Sequence, residues 1–314
     1  MDKHMNRWLL LLVCVFAAGA ARAEPVSYHY VTVDGLRIFY REAGPADAPV
    51  VLLLHGFPTS SRMFDGLMPL LADRYHLIAP DYPGFGHSDA PPPEQFTYTF
   101  DHIATVMDHF TQALHLRRYS LYMFDYGSPV GFRLAIARPE RIQSLIVQNA
   151  NGSEQGLSDA WKLRRAYWAD RAGYEEQVRQ ASLSYDATWQ RHLSTSPHPQ
   201  TLDPDTWQDE YAFLSRPGEA RIQMDLIYDY RSNVAAYPDW DTYLQRYQPP
   251  MLVIWGRYDP AFTVAGALAY GKDLPGAEIH LLDAGHFALD EASPEIALLM
   301  RHFLENLPAD RFDR

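Results

Sequence analysis

Three side chains placed just after apolar runs could together perform a two-step hydrolysis. Asp125 follows the run 120–124, Asp259 follows 251–255, and His286 follows 278–282. A carboxylate can displace a leaving group from an electrophilic carbon and become an ester, which splits one difficult step into two easier ones. A neutral histidine, oriented by a second carboxylate, can then take a proton from the water that cleaves the ester, so activity is expected to fall at acid pH. By itself an aspartate at a strand end or helix N-cap is unremarkable. The surroundings of Asp125 give it more meaning.

Asp125 lies in Phe124-Asp-Tyr-Gly-Ser-Pro-Val-Gly131, between an apolar run and a helix-like pattern. A chain that leaves a strand and enters a helix within two or three residues needs small neighbours and projects its apex side chain out of the sheet. Gly127 meets that need after the apex; Met123, before it, is larger than the usual residue. Ser128 is the rival nucleophile, but Tyr126 and Val130 would crowd it on both sides. Neither residue gives G-x-S-x-G, which disfavours an ordinary serine hydrolase. His55-Gly56-Phe57-Pro58 follows another apolar run, and the backbone N–H groups of Phe57 and Tyr126 could hold an oxyanion. Asp81-Tyr-Pro-Gly-Phe-Gly-His-Ser88 follows a further run.

The elements that must position these residues alternate. Strand-like runs cover 27–33, 36–40, 50–54, 76–79, 120–124, 144–147, 251–255 and 278–282, while helical spacing of apolar residues appears over 100–114, 129–138 and 293–307. Such alternation predicts a mostly parallel sheet covered on both faces, whose carboxyl ends converge on one crevice. The first two strands, joined at Asp34-Gly35, read as an antiparallel hairpin. Over 151–248 strand-like runs vanish, and aromatic and charged residues sit at helical spacing with breaks at 196–204 and Arg216-Pro217-Gly218. This stretch reads as a helical insertion.

These motifs in this order resemble the α/β-hydrolase fold family, on the branch of epoxide hydrolases and haloalkane dehalogenases. The resemblance covers 27–307 and rests on "HGFP", "DYPGFGHSD", "FDYGSPVG", "GRYDP" and "AGHF". It implies an α/β-hydrolase core over 24–150 and 249–314 with a helical cap over 151–248. It also implies Asp125, Asp259 and His286 as the catalytic set, Phe57 and Tyr126 as backbone oxyanion donors, and no cofactor or metal. Haloalkane dehalogenases typically grip the halide with an indole N–H after the nucleophile, where this chain has Tyr126, and with a second donor, where it has Phe57. Haloacetate dehalogenases carry arginines beside the nucleophile, where this chain has Tyr126, Gly127 and Ser128. Epoxide hydrolases hold the oxirane oxygen with lid tyrosines, and Leu226-Ile-Tyr-Asp-Tyr-Arg-Ser-Asn233 resembles the segment that carries one of them, which maps to Tyr230. Tyr167 and Tyr174 are alternatives for the second. The expected substrate is therefore an epoxide or related electrophile, with a haloalkane as the alternative. A non-catalytic binding homologue is the reading from outside the enzymes.

Other candidates are weaker. Asp101-His102 and Asp108-His109 recur at helical spacing without a further ligand and read as a solvated face. His192 and His198 are expected on the cap surface or in its loop; Asn149 could hydrogen-bond in the site, though an ordinary strand-end role is the expectation; and Asn151-Gly-Ser153 satisfies the glycosylation pattern.

At 314 residues with 47% hydrophobic and 21% charged content, the chain can build one sizeable core. Residues 1–23 read as a signal peptide: a basic start, the apolar run 8–18, and Ala21-Arg22-Ala23 before the cut. Export to the periplasm or medium is the expectation. The only cysteine, Cys14, lies inside that leader, and Val13 is too bulky for a good lipoprotein signal. Removing Lys3, Arg7 and Arg22 with Asp2 would leave 24 basic against 38 acidic residues, a net charge of −14. Such a surface argues against nucleic acid and anionic membrane as partners, and the Trp- and Tyr-rich cap implies a small apolar or aromatic substrate. Oligomeric state does not follow.

Overall fold

The computed structural model describes residues 25–308; the expected leader lies outside the described residues. Strands β1 (Ser27–Val33) and β2 (Leu36–Ala43) form the hairpin, with Asp34 and Gly35 both at positive φ. That turn geometry matches the right-handed twist of the flanking strands. The remaining strands are β3 (Val50–Leu54), β4 (His76–Pro80), β5 (Tyr119–Phe124), β6 (Ile142–Gln148), β7 (Met251–Gly256) and β8 (Glu278–Leu282). They complete one sheet in the order β1-β2-β4-β3-β5-β6-β7-β8, parallel from β4 onward.

Because strand side chains alternate, β5 feeds two cores. Leu121 and Met123 enter one shared with α1 (Phe100–Ala113), α2 (Gly127–Ala137) and α8 (Val264–Asp273), while Tyr122 and Phe124 enter another shared with α9 (Ala288–Glu305). α9 begins earlier than the sequence pattern predicts. It is two segments joined at Ala292, whose backbone leaves the helical region, and Pro294 sits in the first turn of the second. Proline is tolerated there because no intrahelical N–H is required.

Residues 151–248 carry five helices: α3 (Lys162–Ala169), α4 (Arg171–Leu183), α5 (Tyr185–Leu193), α6 (Asp205–Leu214) and α7 (Glu219–Tyr247). The entry to this layer is pinned to the loop after β7. Leu157 bridges Phe262, and the Trp161 indole donates to Ala261 O at 3.0 Å. On the opposite side, His192 is buried rather than on the surface. The face of α5 that carries it turns onto α9, so its ring stacks on Phe287 and lies between Glu210 (2.9 Å) and Asp290 (3.1 Å). His198, by contrast, is exposed.

The α1 side chains are taken by ordinary partners: Asp101 by Arg133 at 2.5 Å, His109 by Asp34 at 2.7 Å, His102 by Thr97 O at 3.0 Å, and Asp108 by Gln112, Arg138 and Arg141. Asn151 is fully buried, its amide donating to Ser153 O and Tyr237 Oη, so the Asn-Gly-Ser pattern is not presented to solvent.

Candidate active site

The parallel register brings the ends of β3, β5, β6, β7 and β8 to one edge, and each is followed by a residue of the site. At the end of β5 the chain turns into α2 through Asp125, whose φ of +48° lies in the left-handed region that costs an L-residue roughly 1–2 kcal/mol. The tight turn brings α2 against β3: a Cβ on Gly127 would lie 2.4 Å from Leu54 O. Met123 fits before the apex because its sulfur fills the space over Gly131, where an added Cβ would lie 2.3 Å from Sδ. The departure at one position is thus matched by a glycine one turn into α2. Ser128 is buried with its hydroxyl donating to Asn151 O at 3.3 Å, away from any open space.

The two oxygens of Asp125 have different surroundings. Oδ1 accepts the Phe57 N–H at 2.7 Å, and the Tyr126 N–H also points at the carboxylate. Oδ2 is 3.8 Å from His286 Nε2, beyond hydrogen-bond length, and so is free to attack. Burial pushes the Asp125 carboxyl up from its ordinary value, opposed by His286 and the two amides.

His286 is oriented from behind. Its Nδ1 lies 2.6 Å from Asp259 Oδ2, and that carboxylate also accepts from Asn149 Nδ2 (2.8 Å), Ala261 N (2.8 Å) and Phe262 N (2.9 Å). With an acceptor facing it, Nδ1 carries the proton and Nε2 is left as the base toward Asp125. Burial alone would lower the imidazole pKa; Asp259 outweighs it, and the net direction is up. Asn149, at φ +43°, is more than a strand end: its Oδ1 also accepts the Gly256 N–H, tying β6 to β7 beneath the acid.

His55 and Asp81 build the floor. His55 is buried, Nδ1 near Gly56 O and Nε2 near Tyr82 N, and burial keeps its pKa low. Asp81 accepts from Ser61 N and His87 N, closing its glycine-rich loop.

A cavity of about 460 Å³ opens over Asp125 between sheet and cap. Phe57, Trp161 and Phe262 supply apolar walls, and Tyr126 lines it beside the carboxylate. The lid tyrosines expected from sequence do not line it. Tyr230 packs behind Tyr126 (ring centroids 5.9 Å) and Trp161, and its hydroxyl is taken by Tyr237. Tyr167 is buried with its hydroxyl donating to Met224 O, and Tyr174 is exposed. What the cap does bring to the cavity is Arg164 from α3 and Arg191 from α5. Sequence reading missed both; an arginine at helical spacing in a charged, aromatic insertion carries no signal of its direction.

A family model for the alpha/beta hydrolase fold matches residues 49–293. An uncharacterised hydrolase of Saccharomyces cerevisiae is 39% identical over 286 residues, 89% of this chain and 98% of that one. A haloalkane dehalogenase of Mycobacterium marinum is 30% identical over 307 residues, 87% and 92% of the two chains. The solved haloalkane dehalogenase DbeA of Bradyrhizobium elkani superposes with a TM-score of 0.77 at 24% identity, covering 91% of this chain and all of that one, a likeness of fold.

Proposed function

The chain belongs to the α/β-hydrolase fold family, on its haloalkane-dehalogenase-like branch, and we propose that it hydrolyses an electrophilic sp³ carbon through an ester of Asp125. The observation that carries this reading is the division of labour on Asp125: Oδ1 sits on the Phe57 amide while Oδ2 faces the cavity and His286. Oδ2 attacks carbon and the carbon–leaving-group bond breaks. Water, deprotonated by His286 Nε2, then adds to the Asp125 carboxyl carbon, and the Phe57 and Tyr126 amides hold the charge on Oδ1 until the alcohol departs.

Tyr126 supports an epoxide as the substrate. Its hydroxyl has no hydrogen bond among the described residues, it lines the cavity, and burial with the Asp125 charge pushes its pKa well up, keeping the proton. An opening oxirane needs such a donor, and the phenol takes the place of the expected lid pair. Displacement of a halide is the second reading, supported by the dehalogenase relatives.

The test is a panel of epoxides, haloalkanes and aryl esters with the wild type and Asp125→Ala, together with His286→Gln digested after exposure to substrate. Diol formation that vanishes in Asp125→Ala, and an alkyl mass on the Asp125 peptide of His286→Gln, are expected. Ester turnover that survives Asp125→Ala would remove Asp125 from the reaction, and halide release would favour the second reading.

We also propose that the protein is exported and cleaved before Glu24, on the strength of the 1–23 pattern. Cell fractionation with N-terminal sequencing should find it outside the cytoplasm starting at Glu24; a cytoplasmic chain that keeps Met1 would rule this out.

A further inference from the structure

Arg164 and Arg191 reach the cavity from two different cap helices, and neither makes an ion pair among the described residues. Arg191 lies over the Phe57 ring at 5.0 Å and donates one nitrogen, Nη2, to Ser182 O at 3.0 Å. Its other terminal nitrogen, Nη1, is buried without a hydrogen-bond partner. Arg164 lies over the Trp161 ring at 4.9 Å. No carboxylate comes within ion-pair distance of either among the described residues. Glu210, whose charge acts on Arg191, has one oxygen on His192 and the other unpartnered. Two arginines that line a cavity with no ion-pair partner among the described residues leave donor capacity for a group that arrives with the substrate.

Arg191 lines the same cavity as Asp125, Tyr126 and His286, and its charge acts on all three. Burial and the neighbouring Arg164 push its pKa down to about 10, against the pull of Glu210, so it is still cationic at neutral pH. Two guanidinium groups lining one cavity match a planar oxyanion. The carboxylates of Asp125 and of Asp186, the latter at the exposed side of the lining, already offset part of that charge. With two carboxylates already facing two cations, a monoanion loads the cavity less than a dianion.

We propose that Arg164 and Arg191 form a carboxylate subsite, so that the preferred substrates are acids whose reactive carbon lies a few bonds from the carboxylate and whose apolar part packs on Phe57, Trp161 and Phe262. This rests on the reading of Asp125 as nucleophile for what is done to the substrate, but not for the binding itself.

The binding is tested without turnover by calorimetric titration of the full chain with 3-phenylpropanoate, its primary amide and phenylphosphonate. The acid should bind at least about tenfold tighter than the amide, and Arg191→Gln or Arg164→Gln should each remove most of that preference. Arg164 is the safer variant because it makes no hydrogen bond among the described residues. Equal binding of acid and amide, unchanged preference in a folded Arg164→Gln, or tighter binding of the phosphonate would overturn the carboxylate subsite. Trapping of the Asp125 ester with neutral electrophiles in His286→Gln separates the two ideas. Ester without acid preference sinks the subsite alone, and acid preference without any ester sinks the nucleophile alone.

Discussion

His286 Nε2 stands 3.8 Å from Asp125 Oδ2, too far to hydrogen-bond it and near enough to reach a water at the same carboxyl carbon. The two steps of the proposed reaction therefore depend on different protonation states.

The pKa of His286 is raised above its ordinary value of about 6.5, chiefly because Asp259 overcomes the effect of burial. The neutral imidazole exists only above that raised value, so ester hydrolysis falls as pH drops through it. Alkylation needs ionised Asp125 and no base, and the imidazolium charge of His286 favours the carboxylate against the upward push of burial. In rapid-quench experiments the wild type should accumulate the Asp125 ester at about pH 5.5 and not at about pH 8.5. Equal loss of both steps on acidification would mean that His286 does not act as the base.

Asn149 holds Asp259 Oδ2 at 2.8 Å and accepts from Gly256 N at 2.9 Å. Asn149→Ala removes these two bonds and a third, from Nδ2 to Gly256 O at 3.2 Å, and leaves a methyl side chain at positive φ. The expected result is a fall in kcat on the order of tenfold with KM little moved, and a stability loss of about 1–3 kcal/mol. Asn149→Gly relaxes the backbone but still lacks the amide. If Asn149→Gly restored kcat, the conformation and not the hydrogen bond to Asp259 would be what matters.

His192 ties the cap to α9. Burial would lower its pKa, but the charge of Glu210 and the hydrogen bonds to Asp290 and Glu210 raise it to about 9. The folded value lies above the unfolded one, so its contribution is complete below about pH 6.5 and is lost as pH rises through about 9. At about 1.4 kcal/mol per unit this amounts to a few kcal/mol at most. The difference in urea midpoint between wild type and His192→Gln should shrink between about pH 6.5 and pH 10. A difference constant across that range would show that the imidazolium is not what clamps the cap.

Met123 and Gly131 fill one space. Gly131→Ala alone forces the Met123 sulfur out of place, and Met123→Ala alone leaves a cavity worth about 2–5 kcal/mol. Together the new methyl enters the vacated volume, so the double variant should be more stable than the sum of the single effects by about 0.5–3 kcal/mol. Additive denaturation midpoints would mean that the two do not share the space.

The sequence by itself determined the sheet, the order of its strands' functional ends, and the set Asp125, Asp259 and His286. Each of those residues follows an apolar run within a few residues, and parallel strands carry such ends to one edge, so local pattern was enough. The Phe57 and Tyr126 amides were legible for the same reason. The partnership of Asn149 with Asp259 was not, because it joins positions 110 residues apart across β6 and β7. Nor was the fit of Met123, which depends on a glycine that sequence spacing places on the helix but not over the sulfur. Above all, only the tertiary structure decided what the cap presents to the cavity. Helical spacing tells which stripe of a short helix is buried, not what it is buried against. In this cap Tyr167, Tyr174 and Tyr230 turn elsewhere, while Arg164 and Arg191 turn inward.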